Sequence, residues 1–256
     1  MPDLHAYRRF LSSDGWEEYS RKDYQTDQRR KTPPPPIQKP YPEDALLIDL
    51  VPPEHVRVGM TPLRDVIRRR ESRRRFSSAP LTLEELSFLL WATQGIRKMA
   101  VQDDQPLRSF RTVPSGGGRH ALETYLVIKR VTGVEPGLYR YLPIEHKLLF
   151  IRGQLDLADQ LAHACMEQTF IKEGAVIFAW TTIPYRAEWR YSLVAHKMIA
   201  LDAGHICQNL YLAAEAIGAG TCAIAAYHQK PVDALIGVDG EDEFVIYLAP
   251  VGKQVK

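Results

Sequence analysis

Apolar positions along the chain recur with two periods. At 82–95, Leu86, Leu89 and Leu90 share one helical face, Thr82 and Glu85 stand at capping-box spacing, and Gly95 sits where the turn must end. A helix is predicted there. A shorter one is predicted from Thr61, with Pro62 at its first position and Leu63, Val66 and Ile67 on a single apolar face. Residues 123–131, 137–142 and 147–152 read as three strands separated by VEPG and PIEH turns, and 174–183 as a buried strand. Residues 155–169 read as a helix. A long helix over roughly 187–217 follows from Leu193, Ile199, Ala203, Ile206, Leu210, Ala213, Ala214 and Ile217, with Gly218 as its stop. A strand of small residues (221–227), a short helix (PVDALIG) and a closing strand (EFVIYLAPVG) complete the pattern. Hairpin-linked strands followed by irregular alternation with helices predict an α+β fold.

Residues 1–60 lack this periodicity. TPPPPIQKPYPED at 32–44 favours extended polyproline II, so 1–60 is read as a proline-containing linker or wrapping arm and 61–256 as the folded domain. Net charge is +2, from 33 basic and 31 acidic side chains, which gives no general case for nucleic acid. No apolar run is long enough to span a membrane, and MPDLHAYRRF has no apolar signal core. Cys165, Cys207 and Cys222 are odd in number and widely spaced, which predicts neither a disulfide framework nor a zinc site, and makes the cytoplasm the expected compartment. His196 and His205 are nine residues apart, too far for an i, i+4 metal pair, so no metal is expected.

Two stretches stand apart. RRRESRRR at 68–75 holds six arginines in eight positions. It reads as a solvated helix end, as a nucleic-acid contact, or as an anion pocket whose guanidinium forks match phosphate oxygens. RTVPSGGGRHALETYLVI at 111–128 places three glycines before a strand, an order that fits neither a dinucleotide-binding turn nor a P-loop. It is either a tight surface turn or a backbone against which something lies. Asp202, in the alanine-rich helix, is expected to bond to nearby backbone or to an arginine.

These stretches, with IALDAGHICQNLYLAAEAIGAGTCAIAAY at 199–227, resemble the FMN-dependent nitroreductase superfamily, and within it the branch of azoline dehydrogenase subunits of thiazole and oxazole peptide synthetases. The first block, RESRRRFSSAPLTLEELSFLLWATQGI at 70–96, is similar to the family's arginine-x-serine-x-arginine entry, and the second to this branch's proline-serine-glycine signature. The resemblance implies a nitroreductase-like fold, a mostly antiparallel sheet flanked by helices. It also implies a homodimer whose two flavin sites draw residues from both chains. By the same resemblance Arg70, Ser72 and Arg74 hold the FMN phosphate, Pro114, Ser115, Gly116, Gly117 and Gly118 lie against the flavin, and Ile224, Ala225 and Ala226 run beside the ring. It further implies NAD(P)H as co-substrate and a small electron acceptor such as a nitroaromatic or quinone, or else an azoline peptide and a partner protein, or a flavin- or partner-binding module without turnover.

The sequence departs from the family at several positions. Glu71 puts a carboxylate beside the phosphate arginines, and Ala121 replaces a proline. The chain closes without the family's basic tail, so Lys253 or the arginine cluster is expected to compensate. Arg190 and Tyr191 fall where the azoline dehydrogenases have a catalytic lysine-tyrosine pair. Tyr191 can exchange a proton, whereas an arginine remains charged.

Overall fold

A computed structural model describes residues 4–102 and 105–255. Lys256, the end of the expected domain, lies outside the described residues. Two short helices, α1 (Leu4–Arg9) and α2 (Gly15–Tyr19), precede β1 (Leu47–Asp49), α3 (Leu63–Arg69) and α4 (Leu83–Gln94). Next come β2 (Ile96–Gln102), β3 (Gln105–Arg111), β4 (Leu122–Ile128), β5 (Gly137–Leu142), β6 (Lys147–Arg152), α5 (Leu157–Ala164) and β7 (Val176–Thr182). The chain continues through α6 (Tyr185–Tyr191), α7 (Ala195–Ala216), β8 (Ala219–Thr221), α8 (Gln229–Ile236) and β9 (Phe244–Lys253). Seven strands form one sheet in the order β1-β6-β5-β4-β7-β9-β8, every neighbouring pair antiparallel. The strands β2 and β3 form a separate hairpin.

Strands β4 and β7 are buried at every position because helices cover both faces of the sheet. Side chains alternate across a strand. Leu122, Leu126, Ile128, Phe178 and Trp180 therefore join the core formed with α4 (Leu86, Leu89, Leu90) and α7 (Ile199, Ile206, Leu210). Their neighbours Tyr125, Val127, Ile177 and Ala179 face α5 (Leu157, Leu161) and α8 (Val232, Ile236). The predicted capping box is present: the Glu85 N–H donates to Thr82 Oγ1 (3.1 Å) and the Thr82 N–H to Glu85 Oε2 (2.9 Å).

The structure differs from the sequence pattern most in four places, and α5 also stops at Ala164, five residues short of the expected end. The long helix is interrupted at Ser192, whose φ of 48° and ψ of −130° end α6 before α7 begins. The hairpin β2–β3 was not expected at all. Of the 221–227 strand, only Thr221 belongs to β8; beyond it a single bridge joins Ile224 to Leu248. Finally, of the apolar face expected on α3, only Val66 is buried; Leu63 and Ile67 are more than half exposed.

Residues 4–60 wrap the rest of the chain. β1 extends the sheet along β6, and the proline stretch is pinned by Arg111 and Arg140, which donate to the carbonyls of Ile37, Lys39 and Pro40. Trp189 Nε1–H donates to the Thr32 carbonyl (2.9 Å), and Lys197 to the Leu11 carbonyl (2.5 Å). Among the described residues no helix is long and apolar enough to cross a membrane.

Candidate functional site

Past α3 the backbone turns extended at Arg70 (φ −55°, ψ 122°), so successive side chains of 70–75 alternate direction. The segment is tied to the sheet edge: Ser72 bridges Thr221, and the Arg73 N–H donates to the Thr221 carbonyl (2.9 Å). On one side, Arg73 takes up Glu71 (2.6 Å) and the buried Glu215 (3.2 Å). The acid next to the proposed phosphate grip is thereby neutralised by an arginine outside the motif. On the other side, the Arg70 guanidinium lies 5.5 Å from the Tyr211 ring centre and that of Arg74 lies 5.8 Å from that of Phe170. Among the described residues neither arginine has an acidic partner. Lys253 does not supplement them; it is bound to Glu85 and the Ile217 carbonyl.

The Tyr211 hydroxyl joins this segment to the next. It lies 3.1 Å from Ser72 Oγ and accepts the Ala223 N–H at 2.8 Å. Ile224 then exchanges two backbone bonds with Leu248 (2.8 and 3.1 Å). Ala225 and Ala226 follow, exposed, and among the described residues their N–H groups have no acceptor. The structure therefore brings Arg70, Ser72 and Arg74 together with Ile224, Ala225 and Ala226. Free guanidinium groups and a serine at one end, with bare amides at the other, are the donor set that a phosphate-bearing, carbonyl- and nitrogen-rich ring system requires. These residues fit FMN.

The glycine triplet lies elsewhere. Gly116–Gly118 form a 3-10 turn with Gly117 and Gly118 at φ of 59° and 64°, a region that L side chains rarely enter. A Cβ on Gly116 would lie 2.2 Å from Met198 Cε, and one on Gly117 2.2 Å from the Tyr191 hydroxyl. The missing side chains thus make room for this chain's own Met198 and Tyr191. The Gly116 N–H donates to both Asp202 oxygens (3.2 and 3.3 Å), and Arg108 donates to the Gly117 carbonyl (2.6 Å). Burial raises the Asp202 carboxyl above its usual range, against the opposing pull of Ser115, Gly116 and His205. His120, buried beside Arg111 and Arg119, is held neutral with its pKa lowered to about 2. Burial, then the charges of Arg190, Arg108 and Arg186, depress Arg119, whose guanidinium sits 4.7 Å from the Trp189 ring centre. Arg186 is paired with Glu123 at 2.6 Å, both fully buried.

Arg190 and Tyr191 end α6 beside this loop. The Tyr191 ring is boxed by Trp16 (6.0 Å) and Tyr19 (6.1 Å) from the N-terminal arm, and Arg190 lies 5.2 Å from its centre. Asp202, at the loop, and Tyr211, at the arginine segment, are nine residues apart on α7. That places them about 13 Å apart along the axis and about half a turn around it. The two groups of expected site residues therefore occupy different faces within one chain. Pro114 also lines a cavity of about 670 Å³ between α3, α4 and α7, bordered by Phe88, Trp91 and Arg97. Tyr211 and Arg119 were missed by sequence reasoning; a lone tyrosine in an alanine-rich helix was the available signal for the first.

A seven-stranded antiparallel sheet between helical layers, with arginines lacking acidic partners among the described residues and bare amides at one edge, goes with an oxidoreductase of nitroreductase-like fold. Residues 67–253 match the nitroreductase family, and the chain belongs to that family. It is similar to a candidate nitroreductase of Methanocaldococcus jannaschii, 32% identical over 194 residues, which are 76% of this chain and 92% of that protein. The trifolitoxin-processing protein TfxB of Rhizobium leguminosarum bv. trifolii is 29% identical over 133 residues, half of this chain and 36% of TfxB. Among solved structures, a candidate nitroreductase of Anabaena variabilis superimposes with a TM-score of 0.68 at 26% identity, covering 83% of this chain and 42% of that one. A chain of the E. coli microcin synthetase McbBCD complex, solved with truncated pro-MccB17 bound, shares the fold at a TM-score of 0.59 and 16% identity, over 99% of this chain and 87% of its own.

Proposed function

We propose that the protein is an FMN-dependent oxidoreductase that oxidises NAD(P)H and reduces an electron-poor small molecule, a nitroaromatic or a quinone, by a ping-pong sequence. The observation that carries this reading is the open donor set at the sheet edge: Arg70, Ser72 and Arg74 without acidic partners, stapled through Tyr211 to the unpaired amides of Ala225 and Ala226. FMN, when bound, supplies a ring that accepts hydride from NAD(P)H and delivers it to the acceptor. Arg70, Arg74 and the Ser72 hydroxyl would hold its phosphate, and the Ala225 and Ala226 N–H groups would be the donors available to its ring. The single proton that, together with the hydride, completes a hydroquinone would come from solvent. Arg108, Arg119 and Arg190 add positive potential near the glycine loop, which favours approach of an anionic co-substrate.

In this reading residues 61–256 form the FMN domain and 1–60 a wrapping arm. Two copies associate, so that Pro114–Gly118 of one approach the ring held by the other. The exposed Leu63, Ile67 and Leu201, with open space beside Gly204 on α7, support that seam. The free, buried cysteines accord with the reducing cytoplasm. The test is FMN retention on gel filtration. The wild type is expected to co-elute with FMN and the Arg70→Gln/Arg74→Gln variant to lose it; equal retention by both would contradict the assignment.

A second reading, oxidation of azoline rings in a peptide, draws support from the likeness to TfxB. It requires Tyr191 to reach the substrate, yet its hydroxyl faces Gly117 and its ring is covered by Trp16 and Tyr19. The arm would have to lift. Turnover of a thiazoline peptide by the FMN-loaded protein, lost in Tyr191→Phe, is the result that would favour it.

A further inference from the structure

We propose that Tyr211 is a positioning residue that aims the Ser72 hydroxyl at the phosphate; this rests on the FMN reading above. One side chain touches three parts of the grip. Its ring lies under the Arg70 guanidinium (5.5 Å), its oxygen accepts the Ala223 N–H (2.8 Å), and the same oxygen lies 3.1 Å from Ser72 Oγ.

The direction of the hydroxyl protons follows from the partners. Ala223 can only donate through its N–H, so a lone pair of Tyr211 is occupied there and the phenolic proton remains for Ser72. A phosphate oxygen can only accept. With an anion beyond it, Ser72 must turn its own proton outward and accept from Tyr211. The order is then Ala223 N–H to Tyr211, Tyr211 O–H to Ser72, and Ser72 O–H to the phosphate, a chain in which each bond polarises the next. Ser72 is exposed and otherwise free to rotate; without the tyrosine its hydroxyl has no fixed direction. Ala223 immediately precedes the Ile224–Ala226 segment. The relay therefore starts from the backbone next to that segment, and its middle member sits in α7.

The test compares FMN with riboflavin, which has the ring and lacks the phosphate. Tyr211→Phe keeps the ring under Arg70 and removes the hydroxyl, and with it both the bond to Ser72 and the acceptor of the Ala223 N–H, which water can replace at this partly exposed position. We expect its FMN dissociation constant, read by quenching of flavin fluorescence, to rise about tenfold, the worth of about one hydrogen bond. Riboflavin affinity should stay within about twofold. Ser72→Ala should reproduce this loss, and the double variant should be no weaker than Ser72→Ala alone. Equal weakening of FMN and riboflavin, unchanged FMN affinity, or additive losses in the double variant would each overturn the proposal. Should Tyr211→Phe fail to fold, Ser72→Ala at its exposed position tests the relay from the other end, with the same phosphate-specific loss expected and an equal loss of both flavins contradicting it. Wild-type protein that binds neither flavin would instead remove the FMN reading on which the proposal stands.

Discussion

At the Tyr211 end, among the described residues, the guanidinium groups of Arg70 and Arg74 have no acidic partner and the N–H groups of Ala225 and Ala226 have no acceptor. Around Asp202, the Gly116 N–H, the Gly117 carbonyl and the Ser115 hydroxyl are all bonded within the chain, and Met198 and Tyr191 fill the space beside the glycines. The first region is poorer in internal bonds and leaves donors open. The second spends its glycines on close packing of its own side chains. Substitutions at the closed end are therefore expected to act on stability, and substitutions at the open end on ligand affinity.

The largest effect is expected at the closed end. Arg186→Met strands the fully buried Glu123 carboxylate without its 2.6 Å partner, and urea unfolding should show a loss of about 3–5 kcal/mol. A loss below about 1 kcal/mol would mean that Arg140 and the Lys39 N–H suffice for Glu123. Gly117→Ala comes next. Its φ of 59° and the 2.2 Å approach to the Tyr191 hydroxyl predict a loss of about 2–3 kcal/mol by the same assay. Tyr191→Phe removes the nearest colliding atom and leaves two ring carbons at 2.9 Å, so the double variant should recover part of that loss; no recovery would place the strain in the backbone and the ring carbons rather than in the hydroxyl.

At the open end, Arg70→Gln is expected to weaken FMN binding about 10- to 100-fold, the range of a charged hydrogen bond, with stability of the flavin-free protein unchanged within about 0.5 kcal/mol. A fluorescence titration and a urea curve on the same preparation separate the two quantities. Parallel losses in both would erase the contrast between the ends of α7.

The pH dependence is subtler. His120 remains neutral in the fold down to about pH 2, whereas the unfolded chain protonates it below about 6.5. The unfolded state then binds the extra proton, so stability falls as pH drops below that value, by about 1.4 kcal/mol per pH unit for one proton. Glu123, held below its usual carboxylate range by Arg186 and Arg140 against the desolvation of burial, adds to the loss as pH falls below about 4.5. His120→Asn tolerates the backbone φ of 47° and should flatten the curve between about pH 6.5 and 5. An unaltered slope would assign the acid sensitivity to other groups. Smallest of all, Glu71→Gln should move stability by less than about 0.5 kcal/mol, because Arg73 keeps Glu215.

The features read correctly from sequence are those whose causes are local. The Thr82–Glu85 capping box, the helix stop at Gly95 and the buried strand through Phe178 and Trp180 depend on residues a few positions apart. The break at Ser192 was hidden because a serine, neither glycine nor proline, adopts the positive φ. The β2–β3 hairpin was hidden because IRKMAVQ and QPLRSFR lack clean alternation and the second contains a proline. At the site, the arginine-serine motif was visible as a pattern, but the tie of Arg73 to Glu215 and the bridge of Tyr211 to Ser72 join residues 142 and 139 positions apart. The glycine triplet was legible as a close approach; what approaches it within the chain, Tyr191 and Met198, was not.

The central claim, that the open edge holds a working flavin, is tested most directly by anaerobic titration of the FMN-reconstituted protein with NADH and NADPH at the flavin absorption band. The account predicts bleaching by at least one of them at about one equivalent per bound FMN, and recovery of the band when a quinone is added. Protein that stays colourless after incubation with FMN, or a band that neither nicotinamide bleaches, would contradict it.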